Sequence, residues 1–146
     1  MSIITIELKI GHDIPLDKLL ELYNSVGWSA YTRGQARDKL PKAICHSTYV
    51  VSAWAGRRLA GLARGLSDEV SIFYLQDILV HPDFQRQGIG RKLLANCLER
   101  FQHTRMKVLL TDDREEQLKF YESLGYVNAQ KVSGGILTTF IKLKEK

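Results

Sequence analysis

At 146 residues, with 45% hydrophobic and 25% charged side chains, the chain has the size and balance of one globular domain with its own core, which excludes a disordered or fibrous class. No apolar run approaches the ~20 residues that a membrane helix needs. The opening Met1–Glu7 alternates like a strand rather than a signal peptide, so a cytoplasmic location and no membrane partner are expected. Twenty-one Lys and Arg against sixteen Asp and Glu leave a charge of +5, but the basic residues form no long run, and no nucleic-acid partner is expected.

The two cysteines, Cys45 and Cys97, are too few for a disulfide framework. Cys45 beside His46 is not a nucleophile signature, because catalytic pairs meet in space rather than in sequence. His12, His46, His81 and His103 are scattered without ligand spacing, so no metal is expected.

In chain order, a strand is predicted over Ile3–Ile10. A helix follows, with Asp13 as its cap, Pro15 in its first turn, and Leu16, Leu19, Leu20 and Tyr23 on one face. After Gly27-Trp28-Ser29, Thr32 and Gln35 have the spacing of a capping box for a second short helix that Pro41 should bend or shorten. Thr48–Trp54 and Leu59–Leu66 read as a hairpin about Ala55-Gly56-Arg57-Arg58. Val70–Val80 is apolar on both alternating faces, as in a strand inside a sheet, and His81-Pro82-Asp83 ends it. A helix over Gly90–Gln102, a short strand over Met106–Leu110 and a helix over Arg114–Leu124 stopped by Gly125 come next. Two closing strands, Tyr126–Val132 and Ile136–Leu143, are expected about Ser133-Gly134-Gly135. The order is β-α-α-β-β-β-α-β-α-β-β, a single-domain mixed α/β (α+β) fold around one sheet.

The chemistry concentrates where the buried strand meets a helix through Gln85-Arg86-Gln87-Gly88-Ile89-Gly90. A helix N-terminus offers unpaired N–H groups and partial positive charge, and glycines let backbone approach an anion closely. Arg86, Arg91 and Lys92 add full charges, which points to a phosphorylated ligand. A Walker A loop is absent, and Leu93 stands where a dinucleotide fingerprint needs Gly or Ala.

The stretch Asp77–Leu94, with its Gln-Arg-Gln-Gly-Ile-Gly core after Val80-His81-Pro82, resembles the GNAT (general-control-related N-acetyltransferase) superfamily. Phe120-Tyr121-Glu122-Ser123-Leu124-Gly125-Tyr126 resembles the family's second element, and the order of elements fits from end to end. The resemblance implies a mostly antiparallel sheet of about seven strands flanked by about four helices. It further implies acetyl-CoA as co-substrate and transfer of acetyl to a primary amine, a small metabolite ahead of a protein, in a ternary complex. Backbone from Gln85 through Arg86, Gln87, Gly88, Ile89 and Gly90 to Arg91, with Lys92 beside it, would hold the diphosphate. The edge at Leu79 and Val80 would pair with the pantetheine arm. The N–H near Ile78 would stabilise the oxyanion. Tyr121 would protonate the departing thiolate, with Phe120 and Arg114 near the coenzyme.

Two departures stand out. Gln76 occupies the position where many relatives carry a glutamate, and an amide cannot accept a proton. Asp77 is the nearest carboxylate, on the opposite face by the two-residue period, either as base or as a buried structural group. Glu69, Asp112 and Asp113 are weaker candidates. Arg114 stands where relatives often carry Asn. Trp28 and Tyr31 would wall the acceptor pocket together with Gln76. The alternative to an enzyme is a non-catalytic acyl-CoA sensor, and a homodimer is left open.

Overall fold

The computed structural model describes residues 5–34 and 38–144. Ile3 and Ile4 of the expected first strand, and Gln35 of the expected capping box, lie outside the described residues. The described chain forms two compact units, divided after Leu110.

In the first unit, β1 (Ile6–Ile10), β2 (Tyr49–Ala55), β3 (Arg58–Ser67), β4 (Ile72–Val80) and β5 (Met106–Leu109) lie side by side in sequence order. The first four are mutually antiparallel, and β5 runs parallel to β4. The hairpin register Ala55↔Arg58 leaves Gly56-Arg57 as a two-residue turn, with Gly56 at φ 61°. Successive residues of β3 mark the two faces of the sheet. Leu62 joins a core with Leu19, Leu22 and Tyr23 of α1 (Leu16–Ser25) and Leu40 and Ile44 of α2 (Lys39–His46). A Cβ on Gly61 would meet Ile89 and Leu93 of α3 (Ile89–Arg100) instead. The sheet is therefore covered on both sides, each fully buried Leu contributing about 2 kcal/mol.

Helix boundaries differ from expectation for local reasons. Pro15, not Asp13, is the residue that caps α1, and it makes no side-chain cap bond. Pro41 falls in the first turn of α2, where a missing N–H breaks no ladder bond, so it starts the helix rather than bending it.

The second unit, described from residue 111 to 144, holds α4 (Glu115–Ser123), flanked by Arg114 and Leu124, with Gly125 at φ 94° just beyond as expected. The two closing strands expected over 126–132 and 136–143 are absent among the described residues, so the sheet has five strands rather than seven. A 3-10 turn, Ala129–Gly134, stands there instead, opened by the Asn128 side chain accepting from Gln130 N–H and closed by left-handed Gly135. The Gly-Gly pair that signals a hairpin serves equally well to end a helical turn.

Candidate active site

Three things happen within three residues of β4. Its pairing with β5 ends at Leu75↔Leu109. Its register with β3 slips from Arg64↔Asp77 to Gly65↔Leu75, leaving Gln76 as the extra residue of a bulge. Its side chains then change faces. Phe73 stacks on Phe101, the residue that ends α3, with ring centroids 4.4 Å apart. Asp77 and Leu79 meet α1, through Tyr23 and the core of Leu19 and Leu22.

Among the described residues, no strand pairs with the β5-side edge of β4 beyond Leu75. His81 N–H donates to Ala60 O at 2.8 Å, so by antiparallel alternation Leu79 and Asp77 also bond toward β3. Ile78 and Val80 consequently direct their backbone groups to the open edge. The Val80 carbonyl accepts from Gln85 Nε2 at 2.9 Å, which leaves the Ile78 amide and carbonyl and the Val80 amide as that edge's hydrogen-bonding groups. Leu79, expected on this edge, instead pairs with β3 and buries its side chain in the core.

The turn after β4 is fixed from within. His81 Nδ1 accepts from Asp83 N–H, His81 O accepts from Phe84 N–H at 2.8 Å, and Phe84 is buried beneath the Arg58 guanidinium. Asp83 is ion-paired with Arg58 at 2.8 Å, which holds its carboxyl below the usual range. Arg86 (φ 65°) and Gly88 (φ 77°) both adopt left-handed backbone and curl the chain into α3. A Cβ on Gly88 would meet nothing within 4 Å, so the glycine answers a need for backbone freedom and leaves open space in front of the turn. The first intrahelical bond is Lys92 N–H to Gly88 O, placing the Ile89 and Gly90 amides before the ladder. Gln85, Arg86, Gln87, Arg91 and Lys92 are exposed around them. The Gln85 amide is directed back to Pro82 O at 3.4 Å, so the donor set begins after it. Main-chain donors at a helix start, three basic side chains and an open approach fit the diphosphate of a coenzyme A thioester.

Three of the four carboxylates expected as bases, Asp77, Glu69 and Asp112, are engaged by arginines. Asp77 is buried, and its Oδ2 accepts from Arg64 Nε at 2.7 Å and from Tyr23 Oη at 2.9 Å. With that oxygen buried and engaged by both a guanidinium and a phenol, Asp77 reads as a structural group rather than one presented to an amine. Glu69 pairs with both terminal nitrogens of Arg100, and Asp112 pairs with Arg114. Gln76 is exposed on its bulge. Trp28 is partly exposed beyond α1, and Tyr31 is half-buried; each sets its ring edge-on to Tyr23, at 5.8 and 5.6 Å.

In the second unit, Tyr121 is buried on α4 with Phe120 and Tyr126 edge-on to its ring. Burial, then the Asp112 carboxylate, raises its phenol above the ordinary value. The Arg114 guanidinium is occupied by Asp112 and lies 3.7 Å from Glu116, which competes with any approach to a phosphate. The sequence reading missed Arg64. A lone charge inside the apolar run Leu59–Leu66 was its signal, since a buried charge requires a partner.

A sheet whose fourth strand parts from its fifth, and then runs through a glycine turn into a helix start, defines a mixed α/β architecture with an anion-suited turn beside an open strand edge. A family model described as an acetyltransferase (GNAT) domain matches residues 19–141, and the chain belongs to that family. It is 30% identical to a GNAT-family acetyltransferase of Streptococcus pneumoniae TIGR4, with a TM-score of 0.82 over 97% of this chain and 100% of that one. It is 24% identical to the N-acetyltransferase ycf52 of Gracilaria tenuistipitata var. liui, over 86% of this chain and 69% of that one. An aminoglycoside N-acetyltransferase, AAC(6′)-Iy, seen in complex with CoA, shares the fold at a TM-score of 0.70 and 14% identity, over 96% of this chain and 95% of that one.

Proposed function

We propose that the protein transfers acetyl from acetyl-CoA to a primary amine, a small metabolite rather than a protein, by direct attack in a ternary complex. The observation that carries this is the parting of β4 from β5 at Leu75, which leaves the Ile78 and Val80 amides on an edge leading straight to the Gly88 turn. An extended pantetheine arm suits such an edge, as an added strand would. CoA in the neighbouring aminoglycoside N-acetyltransferase supports the same choice of ligand.

In this scheme the amine nitrogen attacks the thioester carbonyl, and negative charge gathers on its oxygen, where the Ile78 N–H donates. The C–S bond breaks, the amide product forms, and the thiolate takes a proton. The family resemblance gives that proton to Tyr121, whose raised phenol stays in the donor form at neutral pH. The proton lost by the amine leaves through water, because Gln76 cannot accept it and Asp77 is held by Arg64. A panel of primary amines, with acetyl-CoA and a thiol-reactive chromophore, tests the proposal. Amine-dependent thiol release supports it. Tight acetyl-CoA binding without release from any amine would make the chain a sensor, and no acetyl-CoA binding would remove the proposal altogether.

A further inference from the structure

Three of the five buried polar or charged side chains among the described residues, Ser47, Arg64 and Asp77, are joined by hydrogen bonds into one network. Arg64, Asp77 and Ser47 are each 5% exposed. Arg64 donates through Nε to Asp77 and through Nη1 to Ser47 Oγ at 3.3 Å. Ser47 donates in turn to Ala43 O, at the end of α2, and His12 Nε2 lies 2.7 Å from Ser47 O. Tyr23, fully buried on α1, adds its phenol to the same Asp77 oxygen. Core packing does not require these groups. An apolar set of equal volume often holds a fold as well as a buried ion pair does.

Their position is more telling than their number. Arg64 and Asp77 are the last register pair before the slip, so the ion pair clamps β3 to β4 at the bulge itself. One residue further, Ile78 faces the open edge. At its other end the network reaches Trp28 and Tyr31, whose rings rest against the Tyr23 ring, while Trp28 N–H donates to Tyr23 O at 3.1 Å.

We propose that Arg64, Asp77 and Tyr23 act as one positioning unit, in which the ion pair fixes the bulge that turns the Ile78 and Val80 amides to the open edge, and the Tyr23 ring, tied to the same carboxylate, sets the Trp28–Tyr31 wall for the amine acceptor. The strand and the wall are thereby held in one frame, so the attacking nitrogen and the oxyanion donor keep a fixed separation. Its catalytic consequence rests on the proposed acetyl-CoA site, but the positioning can be read without any ligand.

The test uses Tyr23→Phe, Asp77→Asn and the apolar double variant Arg64→Met/Asp77→Leu, each in a Trp54→Phe background that leaves Trp28 as the one indole. Tyr23→Phe keeps the ring and removes the tie. Trp28 emission should shift to the red, and acrylamide should quench it more strongly, with the melting temperature nearly unchanged. In both Asp77 variants the Leu79 amide should exchange about tenfold faster, as expected for a loosened β3–β4 pair, while the β1–β2 amides keep their protection. Acetyl-CoA affinity by calorimetry should fall by about tenfold in the same two variants. If Asp77→Asn fails to fold, the double variant decides. Wild-type Leu79 exchange, Trp28 emission and acetyl-CoA affinity in the double variant would overturn the proposal. Failure of the wild-type chain to bind acetyl-CoA would instead strike the proposed function, with exchange and emission still judging the triad.

Discussion

Gly88→Glu separates the backbone role of the turn from its ligand role. In the unliganded chain the new Cβ meets nothing within 4 Å, so no atom need move. The cost is that of left-handed backbone at φ 77°, about 1 to 2 kcal/mol for a residue with a side chain. A carboxylate at the start of α3 returns part of this, ~0.3 to 1 kcal/mol, by its attraction to the helix N-terminus. The variant should therefore fold. With acetyl-CoA the balance reverses. A carboxylate about 4 Å from one diphosphate charge is repelled by ~4 kcal/mol at an effective dielectric constant of about 20. That corresponds to a loss of roughly a thousandfold in affinity. Gly88→Asn is the control, because asparagine tolerates left-handed backbone and carries no charge. Calorimetry at physiological salt should show near wild-type binding for Asn and none for Glu. Binding of Gly88→Glu within about threefold of wild type would place the diphosphate elsewhere.

Other consequences follow from single side chains. Tyr121→Phe should slow turnover about a hundredfold or more with acetyl-CoA affinity unchanged, as the loss of a general acid does; in the wild type the alkaline fall in rate should lie above the ordinary phenol range, because burial and Asp112 raise the pKa. Gly65→Ala should destabilise the fold by ~1 to 3 kcal/mol or prevent folding, since the added Cβ would overlap the Phe73 ring and lie 2.7 Å from Tyr74 O. Thermal melts check it, and an unchanged melting temperature would mean that the bulge is loosely packed. Asp68 accepts from the amides of Val70, Ser71 and Ile72 and from the Ser71 hydroxyl, which together hold its carboxyl well below the ordinary range. With the folded-state pKa depressed, its stabilisation is present above the unfolded value and disappears as pH falls through the folded one. Asp68→Asn should therefore lower the melting temperature at pH 7, and the gap from wild type should narrow on acidification; a gap independent of pH would contradict this.

Much of the site was legible because its signals are local. Pro82 marks the end of β4, Gly88 the turn and the Leu93 and Leu94 pair the buried face of α3, all within a few residues. The bulge at Gln76 was not legible. A strand apolar on both faces carries no alternation in which a change of phase would show, and the partner that reveals it, Arg64, lies thirteen residues before Asp77. Tyr23 reads as core by its helical spacing, and core it is, but its hydroxyl meets a carboxylate fifty-four residues on. The closing strands failed for a different reason. Apolar β-branched residues such as Ile136 and Ile141 favour a strand only where a neighbouring strand accepts their backbone, and they are exposed here beside a 3-10 turn that Asn128 and Gly135 stabilise.

The central claim is that backbone amides at the start of α3 bind the diphosphate of acetyl-CoA. Amide NMR of the labelled chain during titration with acetyl-CoA addresses it directly. The Gly88, Ile89 and Gly90 amide protons should move downfield together and saturate at one equivalent, with Ile78 and Val80 following along β4. Shifts confined to other segments, with these amides unmoved at saturation, would contradict the account.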